Sequence, residues 1–247
     1  MSDRRQQDLE YGGGGILGVL TPSGNPTVEP EMQRLLAPDI TMLTARMHSS
    51  DPSLLRRLEI YAETLDATLD SFGGIALDAV LFACTGSSYL LGPASEDALV
   101  ARQKARGVRL LTAAQAIRTA AAEAGVRRVV LVNPYPPELR EKAVAYWQDV
   151  GFDLADVVEV RNPKPGYHAI YTLRGEAVSA ALARAAAIPA DMVLLMGTGM
   201  ASLPSLRQLV NSSASGNKLI VSSNLALAWA GRRALNPETG GPHKLLR

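Results

Sequence analysis

"FACTGS" at residues 82–87 and "LMGTGM" at residues 195–200 repeat one construction, an apolar run that breaks into small polar residues. Two further pairs accompany them. "VLTPS" at 19–23 is echoed by "LVNPY" at 131–135, and "TARM" at 44–47 by "EVRN" at 159–162. Pro22 and Pro134 stand 112 residues apart, Cys84 and Gly197 113, and Arg46 and Arg161 115. A spacing this nearly constant over three strand ends marks a duplicated α/β unit.

Outward from these pairs, short runs rich in Val, Ile and Leu alternate with longer Ala-rich segments patterned as helices, the βαβ rhythm of parallel sheets. The expected fold class is α/β, with two Rossmann-like lobes that each hold a four-stranded parallel sheet and are related by a pseudo-twofold axis. The first lobe is expected over residues 16–112 and the second over 113–225, with a C-terminal helix at 226–234 crossing back to pack on the first. In such a pair the carboxyl ends of the strands open into one shared cleft, where an active site belongs.

Composition narrows the partners. At 247 residues and 47% apolar content the chain is long enough for a full core. Its 25 Lys and Arg nearly cancel 24 Asp and Glu, and no basic run is long enough to grip phosphates. Nucleic acid and anionic membranes are therefore not expected partners, and a small molecule is. One cysteine closes no intramolecular disulfide, and with three histidines it offers no zinc spacing, so the expectation is a reducing, cytoplasmic setting without a metal. No stretch approaches the ~20 apolar residues of a membrane span. The chain is left free to act alone or as a homo-oligomer.

Gly13, Gly15 and Gly18 formally satisfy G-x-G-x-x-G, but they precede the first strand where a dinucleotide loop would follow it. No cofactor is expected.

Cys84, the lone thiol, sits where the apolar run of the third strand ends. By residue type alone such a cysteine is a small buried hydrophobe. Its place at the mouth of the expected cleft makes it a candidate reagent. The residues around it are equally open to ordinary readings: Asn25 before Pro26 suits a turn, Tyr135 lies between two prolines ahead of a helix start, and Arg46 reads as a solvated charge or as a carboxylate clamp. His48 and His168 read as polar residues outside the catalytic set.

Taken in order, "GVLTPSGNPTVEPE" (18–31), "TARMHS" (44–49), "FACTGSS" (82–88), "NPYPPEL" (133–139), "LLMGTGM" (194–200) and "VSSNLALAWA" (221–230) resemble the aspartate/glutamate racemase superfamily. The resemblance is to the branch of maleate cis-trans isomerases and arylmalonate decarboxylases, and it runs from about Ile16 to Ala234. It implies two lobes that each present one position for a cysteine, on opposite faces of the substrate. Racemases use both thiols, maleate isomerases resembling this chain use the first as nucleophile, and arylmalonate decarboxylases keep only the second as proton donor. Here the first is Cys84 and the second position is Gly197. Inversion at carbon needs a base on one face and an acid on the other, so the resemblance does not extend to racemisation.

Two reactions remain for a single thiol. Cys84 can add to a double bond conjugated with a carboxylate, giving an enediolate whose central bond rotates before the sulfur leaves. Alternatively, a substituted malonate loses CO2 and Cys84 protonates the enediolate from one face. Either intermediate needs hydrogen-bond donors around a carboxylate. Thr85, Gly86 and Ser87 suit that role, as do Gly197, Thr198 and Gly199 opposite them. By resemblance Asn25 and Tyr135 hold substrate carboxylates through an amide and a phenol, with Arg46 as a further contact. Because the surviving cysteine occupies the isomerase nucleophile's position, isomerisation of a small carboxylate or dicarboxylate leads, ahead of decarboxylation and of a carboxylate-binding protein without turnover. A nucleophilic Cys84 is expected to titrate below the free-cysteine value of about 8.5.

Overall fold

The structure, a computed structural model, describes residues 10–161, 169–211 and 217–246. It contains two four-stranded sheets, all of whose strand pairs are parallel. The first is built from β1 (Gly15–Pro22), β2 (Ile40–Met47), β3 (Ala79–Phe82) and β4 (Leu110–Thr112) in the order β2-β1-β3-β4. The second repeats that order as β6-β5-β7-β8, from β5 (Arg128–Asn133), β6 (Asp153–Glu159), β7 (Met192–Leu195) and β8 (Leu219–Ser222). The duplication read from the three sequence echoes is thus a duplication of topology. It extends to register: Leu20 pairs with Phe82 at the end of one central ladder, and Val132 with Leu195 at the end of the other.

Burial explains the composition of these strands. β3 (AVLF) and β7 (MVLL) are buried at every position, because helices cover both faces of a parallel sheet and an unbroken apolar run is what such a strand needs. β6 lies at a sheet edge, and all of its residues except Val158 are exposed or half-buried, which is why it carries Asp153, Asp156 and Glu159.

In each sheet the chain leaves the central strand toward one side and returns on the other, so a crevice forms between β1 and β3 and again between β5 and β7. The ends of these four strands and the loops after them carry four of the six sequence motifs, those at 18–31, 82–88, 133–139 and 194–200.

Helix α10 (Ser223–Leu235) is buried along most of its length and packs on β3, on β4, on α1 (Val28–Leu35) and on α6 (Ala113–Glu123). It follows the last strand of the second sheet yet covers the first. Trp229 anchors it, with the indole nitrogen donating to the Gly240 carbonyl at 2.8 Å. The division of the chain expected at 112/113 falls immediately before α6, which itself packs on β4 and α10. No helix among the described residues is long and apolar enough to cross a membrane.

Candidate active site

Cys84 follows β3 and immediately precedes α4 (Thr85–Leu91). Its backbone is extended (φ −148°, ψ 87°), which turns the chain sharply from strand into helix and leaves the side chain at the crevice. The residue is 3% exposed. The amides of Ser87 and Gly86 and the Ser87 hydroxyl, 3.3 Å away, all reach Sγ. Gly86 is required by close approach: a Cβ there would lie 2.8 Å from Leu58 Cδ1 on α2 (Leu54–Glu63). Burial nevertheless dominates and pushes the thiol above its ordinary range, against the pull of the Ser87 hydroxyl and the two amides. This corrects the expectation of a lowered value. A charged thiolate there would lose more hydration than its neighbours return.

The second half of the chain is hydrogen-bonded to the residues on either side of this thiol, Ala83 and Thr85. Tyr135, just past β5, places its phenol oxygen 2.9 Å from Thr85 Oγ1. Buried Asn133 fixes the turn that aims it: Oδ1 accepts from the Tyr135 amide at 3.2 Å, and Nδ2 donates to the Tyr135 carbonyl at 3.2 Å. Thr198, just past β7, donates its hydroxyl to the Ala83 carbonyl at 2.8 Å, so it ties the lobes beside Cys84. Thr27 donates to the Gly199 carbonyl at 2.9 Å from the other direction. The structure therefore brings Tyr135 and Thr198 against Thr85 and Ala83, the two residues that flank Cys84.

Asn25 is buried on the loop after β1. Its Oδ1 accepts from the amides of Thr27 (2.8 Å) and Val28 (3.3 Å), an Asx turn that opens α1. Arg46 behaves differently from a free carboxylate clamp. Its guanidinium donates to the carbonyls of Asn25 at 2.9 Å and Ser23 at 3.3 Å, and it pairs with Glu29. It braces the loop that carries Asn25. Ser87 also faces inward, toward the Leu58 carbonyl at 2.6 Å. His48 is exposed, its Nδ1 3.5 Å from Ser23 Oγ, and His168 lies outside the described residues.

Gly197 has φ +90°, a conformation L side chains rarely adopt. A Cβ built on it would stand 2.8 Å from Ile170 Cδ1 and 3.2 Å from Tyr135 Oη. The place where a second thiol would start is thus closed by an isoleucine and faced by a phenol. At Gly199 a Cβ would meet the Tyr171 ring at 2.5 Å. Ile170 and Tyr171 belong to a 3-10 turn, Ala169–Thr172, that roofs this side of the site. Neither is signalled in the sequence, since the turn has no periodicity and follows no motif.

Two more residues were missed. Glu31 on α1 is 5% exposed and accepts from the amides of Ser202 and Leu203, both at 2.7 Å, at the start of α9 (Leu203–Asn211). It also accepts from Asn224 Nδ2 at 2.8 Å, and that same nitrogen donates to the Thr198 carbonyl at 3.1 Å. Burial raises the Glu31 carboxyl above its ordinary range, although the donors of Leu203, Asn224 and Ser202 pull it down. Both residues sit inside the quoted motifs, but nothing local tells that they meet. Among the described residues no group of three or more His, Cys, Asp or Glu is placed to hold a metal ion.

The family model for arylmalonate decarboxylase matches residues 21–245, nearly the whole chain. The chain belongs to the arylmalonate decarboxylase family. A maleate isomerase of Nocardia farcinica is 30% identical over 152 residues, which span 57% of this chain and only 59% of that protein. The solved structure of the Nocardia farcinica maleate cis-trans isomerase, in a cysteine-to-serine variant with a covalently bound succinylcysteine intermediate, superposes with a TM-score of 0.77 at 25% identity, covering 94% of this chain and 98% of that one. The maleate isomerase Iso of Pseudomonas putida S16 has a TM-score of 0.78 at 21% identity over 90% of this chain and 93% of its own. Arylmalonate decarboxylase itself, in a liganded double variant, has a TM-score of 0.75 at 21% identity over 91% and 94%. At these last two identities the likeness is one of fold, and it is the fold described above.

Proposed function

We propose that this member of the arylmalonate decarboxylase family is a cofactor-independent enzyme that acts on a carbon next to a carboxylate, with Cys84 as its one thiol, and that its reaction is a maleate-type cis-trans isomerisation. The observation that carries this reading is the position of Cys84: a lone thiol at the switch point of one sheet, bonded through its neighbours Ala83 and Thr85 to Thr198 and Tyr135 at the switch point of the other. The kinship with the Nocardia farcinica isomerase supports the choice of reaction.

Cys84 gives its proton to a carboxylate oxygen of the substrate, and the thiolate so formed bonds to one alkene carbon while the π pair moves into that carboxyl group, leaving an enediolate protonated on oxygen. The former double bond is now single and rotates. The double bond then re-forms, the carbon–sulfur bond breaks, and the proton returns to sulfur, so no proton is consumed. Asn25 Nδ2 is one donor to the carboxylates. The Thr85–Tyr135 pair supplies another, because two hydroxyls sharing one bond leave one proton for a ligand. Arg46 acts through the loop it braces.

The raised thiol favours a second reading, decarboxylation. A substituted malonate would break its bond to CO2, leave an enediolate, and take the Cys84 proton onto carbon; the thiolate would recover a proton from water. Proton NMR with maleate and, separately, with phenylmalonate decides between them. Fumarate formed from maleate establishes the isomerase, and loss of CO2 from phenylmalonate establishes the lyase. Binding of either acid without turnover would leave a carboxylate-binding protein and overturn both.

A further inference from the structure

Ser87 lies three residues beyond Cys84 and is wholly buried. Its oxygen is 2.6 Å from the Leu58 carbonyl oxygen and 3.3 Å from Cys84 Sγ. A hydroxyl has one proton to give, so it cannot donate to both. In the resting site the short contact to Leu58 takes that proton, and the protonated thiol is then the donor in the longer one.

We propose that Ser87 is a positioning residue that follows the proton of Cys84, turning its single O–H between the Leu58 carbonyl and the sulfur as the thiol gives up and regains its proton. The proposal rests on the reading of Cys84 as the reagent and gives Ser87 a role in it other than touching substrate. When the S–H bond breaks and the proton passes to the substrate, the sulfur is left as a thiolate. Rotation of the Ser87 hydroxyl then supplies a charge-assisted bond to it, and these are roughly twice as strong as neutral ones. Leu58 tolerates the loss, because its carbonyl lies within α2, where the helix ladder provides an amide. When the proton returns, the hydroxyl swings back.

The surroundings leave this role to Ser87. Among the described residues the ionisable groups facing the sulfur are the phenols of Tyr135, from the loop after β5, and Tyr171, from the 3-10 turn. Burial holds both phenols above their ordinary range. Arg57 and Tyr61, from α2, and Arg46, from β2, face Tyr171. The amides of Ser87 and Gly86 are fixed donors, and only the hydroxyl can change partner.

The chain has one cysteine, so the alkylation rate of the whole protein by iodoacetamide, measured against pH, reports on Cys84 alone. In Ser87→Ala the profile is expected to move up by about one pH unit, with alkylation at neutral pH about tenfold slower, as for loss of one hydrogen bond to a charged group. Ser87→Thr, which keeps the hydroxyl, is expected to return the profile toward wild type. In the wild-type protein the single S–H infrared band should lie at a hydrogen-bonded frequency, a measurement that needs no variant. Superposable profiles for wild type and Ser87→Ala, or an S–H band at the unbonded frequency, would overturn the proposal. Neither readout requires a substrate, so absence of turnover counts against the functional reading and an unmoved profile counts against Ser87.

Discussion

At Gly197 backbone and site chemistry constrain each other. With φ at +90° and Ile170 Cδ1 2.8 Å from any added Cβ, the position accepts a side chain only with strain. Gly197→Ala is therefore expected to destabilise the fold by about 1–3 kcal/mol, read as a lower melting temperature, while leaving Cys84 in place. An unchanged melting curve would show that the left-handed conformation and the Ile170 contact are not binding constraints. The space is closed by Ile170 and faced with the Tyr135 phenol, so a substitution to cysteine does not create a two-thiol site without first moving Ile170.

Between elements, the bond from Glu31 on α1 to the start of α9 is the contact whose pH dependence can be derived. The folded protein raises the Glu31 carboxyl, so it binds the proton more tightly than the unfolded chain does. The stability this group contributes is then fully present below the unfolded value, about 4.3, and is lost as pH rises through the folded one. Glu31→Gln removes the titration and turns an amide toward donors. The stability advantage of wild type over Glu31→Gln, from urea unfolding, is expected to be greatest in acid and to shrink toward neutral pH. An advantage that grows with pH would contradict this sign.

The same contact shows where the sequence stopped being legible. Strands β3 and β7 were readable because a doubly covered strand must be apolar throughout, and the small residues after them because a crevice needs close backbone approach. Glu31 and Leu203 are 172 positions apart, and no local period reports a bond of that separation. The 3-10 turn carrying Ile170 and Tyr171 was invisible for the same reason. Arg46 was found but its task was not, since a guanidinium that braces carbonyls and one that grips a substrate look alike in a string of letters.

Across the whole molecule, the duplicated sheets put the one thiol, Cys84, on one wall of a shared seam. If the decarboxylase reading holds, that asymmetry sets the stereochemistry: a prochiral malonate turned over in deuterated water should take deuterium on a single face, giving one enantiomer. A racemic product would mean that a second donor, such as the Tyr135 phenol, protonates from the opposite side.

The claim that Cys84 is the reagent is tested most directly by turnover of the Cys84→Ser variant, measured by NMR on maleate and phenylmalonate together with its melting curve. An alcohol is a far weaker nucleophile and acid than a thiol, while the change in size is small. The account predicts a melting temperature close to wild type and activity lowered at least about a hundredfold. A variant that melts earlier yet keeps near wild-type activity per folded molecule would show a packing cysteine and contradict it.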